Sequence, residues 1–276
     1  MIIRLLFLIV LLITTLVFGI KYIETRGIFY PARDITCYPS DLGMPFEDIY
    51  VKTKDGVTIN GWFIPQKSAR YTLLFFHGNA GNIQHRLDKL LILRETGANI
   101  FIIDYRGFGK SSGRLMEEGF YLDADSACKY LTKARGISPE EVILYGESLG
   151  TAVAIDLASR TKVAAVMLEG AFSSGRDMAK KIYPFLPVFI FAKKFDSLKK
   201  INGVTAPKLF IHSINDEMVP FAFAGKLYQA APAPKELVEL TGGHNTAFLD
   251  SREKYISSIS GFIRRLHEGK DLLPSH

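Results

Sequence analysis

The chain has 276 residues, 48% hydrophobic and 22% charged, which suits one large α/β domain and excludes both a disordered chain and a polytopic membrane protein. Its net charge of +6 comes from positives that are dispersed apart from the doublets Lys180-Lys181, Lys193-Lys194 and Lys199-Lys200, which argues against nucleic-acid binding. Two cysteines, Cys37 and Cys128, exclude a disulfide framework or a zinc cluster, and no motif calls for a cofactor.

Met1-Ile2-Ile3-Arg4 is followed by an uncharged run from Leu5 to Ile20 and then by Lys21. As a helix the run spans roughly 24 Å, against ~30 Å for a bilayer core, with Arg4 and Lys21 free to snorkel. Residues 1–21 are therefore expected to be a single-pass membrane anchor, the alternative being a cleaved signal that would send the domain out of the cytoplasm. Arg4 on one side and Lys21, Arg26 and Arg33 on the other leave the orientation open. Residues 22–45, with Pro31, Pro39 and Pro45, read as an irregular connecting arm.

From there, residues 46–270 alternate between strand and helix patterns. Asp48 to Thr53 and Val57 to Ile64 flank Lys54-Asp55-Gly56, a hairpin signature. Short apolar runs at Tyr71 to Phe76 and Asn99 to Ile103 suit buried strands, the first on both faces. Val142 to Tyr145 and Val163 to Leu168 read as further strands, and Pro207 to His212 and Glu236 to Leu240 are the last two strand candidates. Between them, Ile83, Leu87, Leu90 and Leu91 mark one helix face, and Glu117 to Ala134 and Ser148 to Ser159 read as helices. Ile256, Ile259, Phe262, Ile263 and Leu266 line the last helix. A hairpin followed by repeated βα units predicts a mostly parallel sheet with helices on both faces. Residues 171–205 break the rhythm with an aromatic, proline-containing stretch from Tyr183 to Phe191, read as a small cap over a substrate pocket or else a peripheral helix.

Gly146-Glu147-Ser148-Leu149-Gly150 follows an apolar strand and opens a small-residue helix. In that context the serine sits on a sharp strand-to-helix turn with its hydroxyl projecting, a nucleophile elbow rather than an ordinary helix cap. A serine hydroxyl needs a base, and the base needs an acid to hold its tautomer. Of six histidines, only His244 occupies a turn after a late strand, Thr241-Gly242-Gly243-His244-Asn245. The acid is expected at the end of the preceding strand, at Asp216, with Glu217 as the alternative. Asp104 and Glu169 also end strands, but stand before the serine or directly after the next strand. Oxyanion donors are expected from the Leu149 amide and from His77-Gly78-Asn79-Ala80-Gly81-Asn82, with Asn79 as the chosen position.

His77 to Asn82, Asp104-Tyr105-Arg106-Gly107-Phe108-Gly109-Lys110-Ser111, Gly146 to Gly150 and Gly243-His244 together resemble the α/β-hydrolase superfamily. More narrowly they resemble its membrane-anchored ABHD-type branch, related to serine aminopeptidases and dienelactone hydrolases. The resemblance covers about residues 45–268 and keeps the motifs in family order. It implies esterase, thioesterase or deacylase chemistry with Ser148 as nucleophile, Asp216 as acid, His244 as base, and Asn79 and Leu149 as oxyanion donors. An apolar, lipid-like acyl substrate is expected, with a serine peptidase of the same mechanism as the rival. A catalytically silent membrane-proximal binding protein is the alternative of a different class.

Overall fold

The computed structural model describes residues 2–185 and 194–269. Glu47–Lys52 (β1) and Thr58–Ile64 (β2) pair antiparallel across the expected turn. The remaining strands are Thr72–Phe76 (β3), Asn99–Ile103 (β4), Val142–Glu147 (β5), Ala165–Glu169 (β6), Lys208–Ser213 (β7) and Lys235–Leu240 (β8). They form one eight-stranded sheet in the order β8-β7-β6-β5-β3-β4-β2-β1, parallel except at the two pairings of β2. All five residues of β3 are buried, so its sequence shows no polar alternation.

Side-chain alternation sorts these strands into two cores. Leu74, Phe76, Phe101, Leu144 and Val166 face the helices Glu117–Lys129 (α3) and Leu149–Ala158 (α4). Leu73, Phe75, Ile102, Ile143 and Met167 face Leu87–Leu93 (α2) and Arg252–Glu268 (α7). Burial of each large side chain stabilises by about 1.5–3 kcal/mol, so both helical layers are held by the sheet rather than by propensity. Parallel register brings Phe76, Gly146 and Leu168 level across β3, β5 and β6. The loops after these strands therefore gather along one edge, where α/β sheets place their sites.

The N-terminal expectation is overturned. A helix does form at Ile2–Arg26 (α1), but no helix among the described residues is long and apolar enough to cross a membrane. Its uncharged run is sixteen residues, bracketed by Arg4 and Lys21, and reaches only about 24 Å at ~1.5 Å per residue. Neither the single-pass anchor nor membrane attachment through this segment is supported.

The expected irregular arm of residues 22–45 starts later than its sequence suggests, since α1 continues to Arg26, and the remainder is more than a spacer. Phe29 is buried, with its ring centroid 5.1 Å from that of Phe120 and 6.1 Å from that of Phe195. Tyr30–Pro31 pairs parallel with Ala80–Gly81, making a two-stranded ladder outside the main sheet. Gly175–Ile182 (α5) and Ser197–Lys200 (α6) occupy parts of residues 171–205, while Leu186 to Phe191 of the aromatic stretch lie outside the described residues. Cys37 is exposed and Cys128 buried, both as free thiols.

Candidate active site

Ser148 stands between β5 and α4 with φ 51° and ψ −113°, a conformation that costs a non-glycine residue about 1–3 kcal/mol. The turn is over-determined. Ser148 N donates to Glu169 O at 2.8 Å, while Ser148 O accepts from Thr151 N and, at 2.6 Å, from Thr151 Oγ1. A Cβ on Gly150 would stand 1.9 Å from Phe76 O, and one on Gly146 would stand 2.5 Å from Gly150 O. Strand and helix pass too closely there for any other residue.

The structure brings Ser148, His244 and Asp216 together from three separate loops. His244 Nε2 lies 3.0 Å from Ser148 Oγ, and His244 Nδ1 lies 2.6 Å from Asp216 Oδ2. Since a carboxylate only accepts, Nδ1 carries the proton and Nε2 offers its lone pair to the serine. The other carboxylate oxygen, Oδ1, accepts from the Met218 amide at 2.9 Å and the Val219 amide at 2.6 Å. Burial works to raise the Asp216 carboxyl, but the His244 hydrogen bond and charge and the Val219 amide outweigh it and hold it below the usual carboxylate range.

Glu217, the alternative acid, faces elsewhere. Its Oε2 accepts from the His244 main-chain amide at 2.9 Å, so it holds the histidine loop and not the ring. Among the other histidines, His212 is buried on β7, donating from Nε2 to Val219 O at 2.9 Å. That bond ties β7 to the loop carrying Asp216, and burial pushes the His212 imidazole below the ordinary histidine value.

Asn79 and Leu149 lie with Ser148 on the wall of one cavity, Leu149 as the first residue of α4. His77 is fully buried behind the Asn79 loop. Its Nδ1 donates to Gly78 O at 2.7 Å, and its Nε2 is 3.2 Å from Asp104 Oδ1. Asp104 Oδ1 also accepts from Ile83 N at 3.0 Å, which ties the end of β4 to the loop after β3.

A buried polar network under the turn was missed by sequence reasoning. Lys89 Nζ lies 2.8 Å from Glu169 Oε1 and 3.5 Å from Glu147 Oε1, and Arg86 Nε donates to Glu147 Oε2 at 2.9 Å. Tyr145 and Tyr255 both donate to Glu169. Burial alone would raise the Glu147 carboxyl, but the Arg86 and Lys89 charges hold it down. The available signal was two acids, Glu147 and Glu169, closing adjacent apolar strands. Ionised groups at such positions are tolerated only when paired.

The cavity above Ser148 measures about 280 Å³. Its wall combines arm residues Ile28 and Tyr30, α5 residues Met178 and Ala179, and Phe172 and Phe195. Nearly all of these present carbon. Among the described residues, no cluster of His, Cys, Asp or Glu has the arrangement to hold a metal ion.

Comparison with known proteins agrees with this architecture. A family model described as the alpha/beta hydrolase fold matches residues 71–190. Alpha/beta hydrolase domain-containing protein WAV2 of Arabidopsis thaliana is 34% identical over 250 residues, covering 82% of this chain and 81% of that one. An uncharacterized protein of Mycobacterium tuberculosis is 32% identical over 244 residues, covering 87% of each. Among solved structures, the Pyrococcus furiosus esterase Pf2001 shares the fold with a TM-score of 0.72 at 21% identity, over 86% of this chain and 98% of that one. The chain belongs to the α/β-hydrolase family.

Proposed function

We propose that the chain is a serine hydrolase that cleaves an ester or thioester bearing an apolar acyl group. Ser148 Oγ attacks the carbonyl carbon while His244 Nε2 takes its proton, and Asp216 orients the ring and stabilises the imidazolium. The tetrahedral oxyanion is held by the main-chain amides of Asn79 and Leu149, the latter at the positive end of α4. On collapse the leaving alcohol or thiol takes the proton from His244, and a water activated by the same imidazole then cleaves the acyl-enzyme.

One observation carries the reading. The hydrogen-bond path from Asp216 through His244 to Ser148, with steps of 2.6 and 3.0 Å, ends on the wall of an apolar cavity. A dry cavity of ~150 Å³ takes up one benzene, so about 280 Å³ offers room for roughly eleven carbons. That favours an acyl chain over a polar group. In the same reading residues 46–270 are the catalytic unit and residues 171–205 its cap, a view supported by the α5 residues that line the cavity.

The test is to treat the full-length chain and a Ser148→Ala variant with a fluorophosphonate probe. Labelling of the wild type and its loss in the variant are expected. An unlabelled wild type, or equal labelling of the two, refutes the hydrolase reading and favours a silent binding protein. p-Nitrophenyl esters of increasing chain length are then set against aminoacyl amides. A preference for the amides replaces the esterase reading with a peptidase of the same mechanism.

A further inference from the structure

The arm between α1 and β1 touches the site at an unexpected place. Tyr30 N donates to Asn79 O at 2.9 Å, and Asn79 Nδ2 donates to Ile28 O at 2.7 Å. One step along, Ala32 N donates to Gly81 O at 2.8 Å. Ala32 O in turn accepts from Gly109 N at 2.9 Å and Asn82 Nδ2 at 3.2 Å, so one strand segment is stitched to the loops after β3 and after β4. Phe29, buried between Phe120 and Phe195, anchors this segment to the domain.

These bonds bear on the orientation of one amide. The Asn79 N–H shares its peptide plane with Gly78 O, which the buried His77 grips from the core side. The next plane, carrying Asn79 O, is gripped by Tyr30 from the solvent side. The Asn79 side chain adds a third tie through Ile28 O, so the Asn79 backbone cannot rotate without breaking a hydrogen bond, and without that tie Tyr30 N–H alone joins the arm to Asn79. Catalysis by preorganised donors requires this, because a donor that must reorient at the moment of reaction gives back much of its benefit.

We infer that the arm, residues 28–32, is a positioning element of the active site: it clamps the oxyanion loop at Asn79 while closing one wall of the substrate cavity with Ile28 and Tyr30. The inference rests on the serine-hydrolase reading of Ser148. It adds that a segment outside the βα repeat determines how well the oxyanion is stabilised.

Two substitutions cut the clamp at different bonds. Asn79→Ala removes the side-chain bond to Ile28 O and keeps the main-chain amide; Tyr30→Pro removes the Tyr30 N–H. Both are made in the full-length chain. Ester hydrolysis is measured together with the inhibition constant of an n-alkylboronic acid, which Ser148 converts to a tetrahedral adduct resembling the transition state. Each variant is expected to lose about 10- to 100-fold in kcat, as for a misplaced catalytic group. KM stays within about twofold in Asn79→Ala, whereas Tyr30→Pro also removes a ring from the cavity wall and raises KM as well. Boronate affinity should fall by the same factor, and the double variant should be no worse than about the poorer single one. A purely structural arm would lower thermal stability and leave kcat and boronate affinity of the folded protein within twofold. That result in Asn79→Ala overturns the inference, even if Tyr30→Pro does not fold. A wild type that is neither acylated at Ser148 nor inhibited by boronate overturns the underlying hydrolase reading, and the inference with it.

Discussion

In the proposed mechanism two adjacent carboxylates, Asp216 and Glu217, compete for the role of acid, and exchanging each for its amide separates them. In Asp216→Asn, the amides of Met218 and Val219 that now donate to Oδ1 at 2.9 and 2.6 Å keep the new carboxamide oxygen on their side. The NH2 group must then face His244 Nδ1, 2.6 Å away in the wild type. Two donors cannot share that contact, so the imidazole switches tautomer and presents Nε2–H to Ser148, where it cannot act as a base. Loss of the base by this route costs about 10⁴-fold in kcat, or ~5.5 kcal/mol of transition-state stabilisation at ~1.36 kcal/mol per tenfold. Glu217→Gln keeps an oxygen for the His244 main-chain amide and changes only the strength of an exposed hydrogen bond, so its loss should stay below about tenfold. Initial rates on the best p-nitrophenyl ester, with kcat and KM resolved for both variants, make the comparison. Equal losses in the two variants, or an Asp216→Asn enzyme within tenfold of wild type, would refute the assignment.

Other consequences follow from named contacts. Phe29→Ala vacates a buried aromatic site and should destabilise by about 3–5 kcal/mol, lowering the midpoint of thermal unfolding by at least ~6 °C at ~2–4 °C per kcal/mol; a shift under ~1 °C would mean that the arm is not docked. His212 has a depressed folded pKa, so the unfolded chain binds the extra proton; the stability it contributes is complete above about pH 6.5 and is lost as the pH falls from there through the folded value. Thermal unfolding between pH 7 and 5 should show a steeper decline for wild type than for His212→Gln, and identical slopes would contradict this origin. Ala179→Phe adds a benzene-sized ring to a cavity of about 280 Å³ and should remove close to half of its room, on the scale of ~150 Å³ per benzene. The ester chain-length optimum is then expected to shorten by several carbons, and an unchanged profile would show that the acyl chain does not enter there.

Much of the fold was legible because it is local or nearly so. Short doubly buried strands announce themselves as unbroken apolar runs, and Tyr71 to Phe76 and Asn99 to Ile103 were read to within a residue. Ser148 was legible for a related reason: the close approach of Gly150 to Phe76 O and of Gly146 to Gly150 O demands glycine on either side. The N-terminal segment shows the limit of the same reasoning. Its run of apolar residues was visible, but its length was marginal for a bilayer, and the membrane reading built on it does not stand.

By itself, then, the sequence determined the order of strands and helices, the turn at Ser148 and the identity of the loops that follow β7 and β8, since periodicity and glycine placement are written into neighbouring residues. Only the tertiary structure decided what those loops face. Whether Asp216 or Glu217 meets the His244 ring depends on where the Met218 and Val219 amides point, and no spacing encodes that. Nor does any local pattern reveal that Lys89 neutralises Glu169, 80 residues away, or that Tyr30 grips Asn79 through main-chain atoms alone. Backbone hydrogen bonds between distant segments leave no mark on side-chain chemistry. For that reason an arm that reads as a proline-bearing linker is found on the wall of the site.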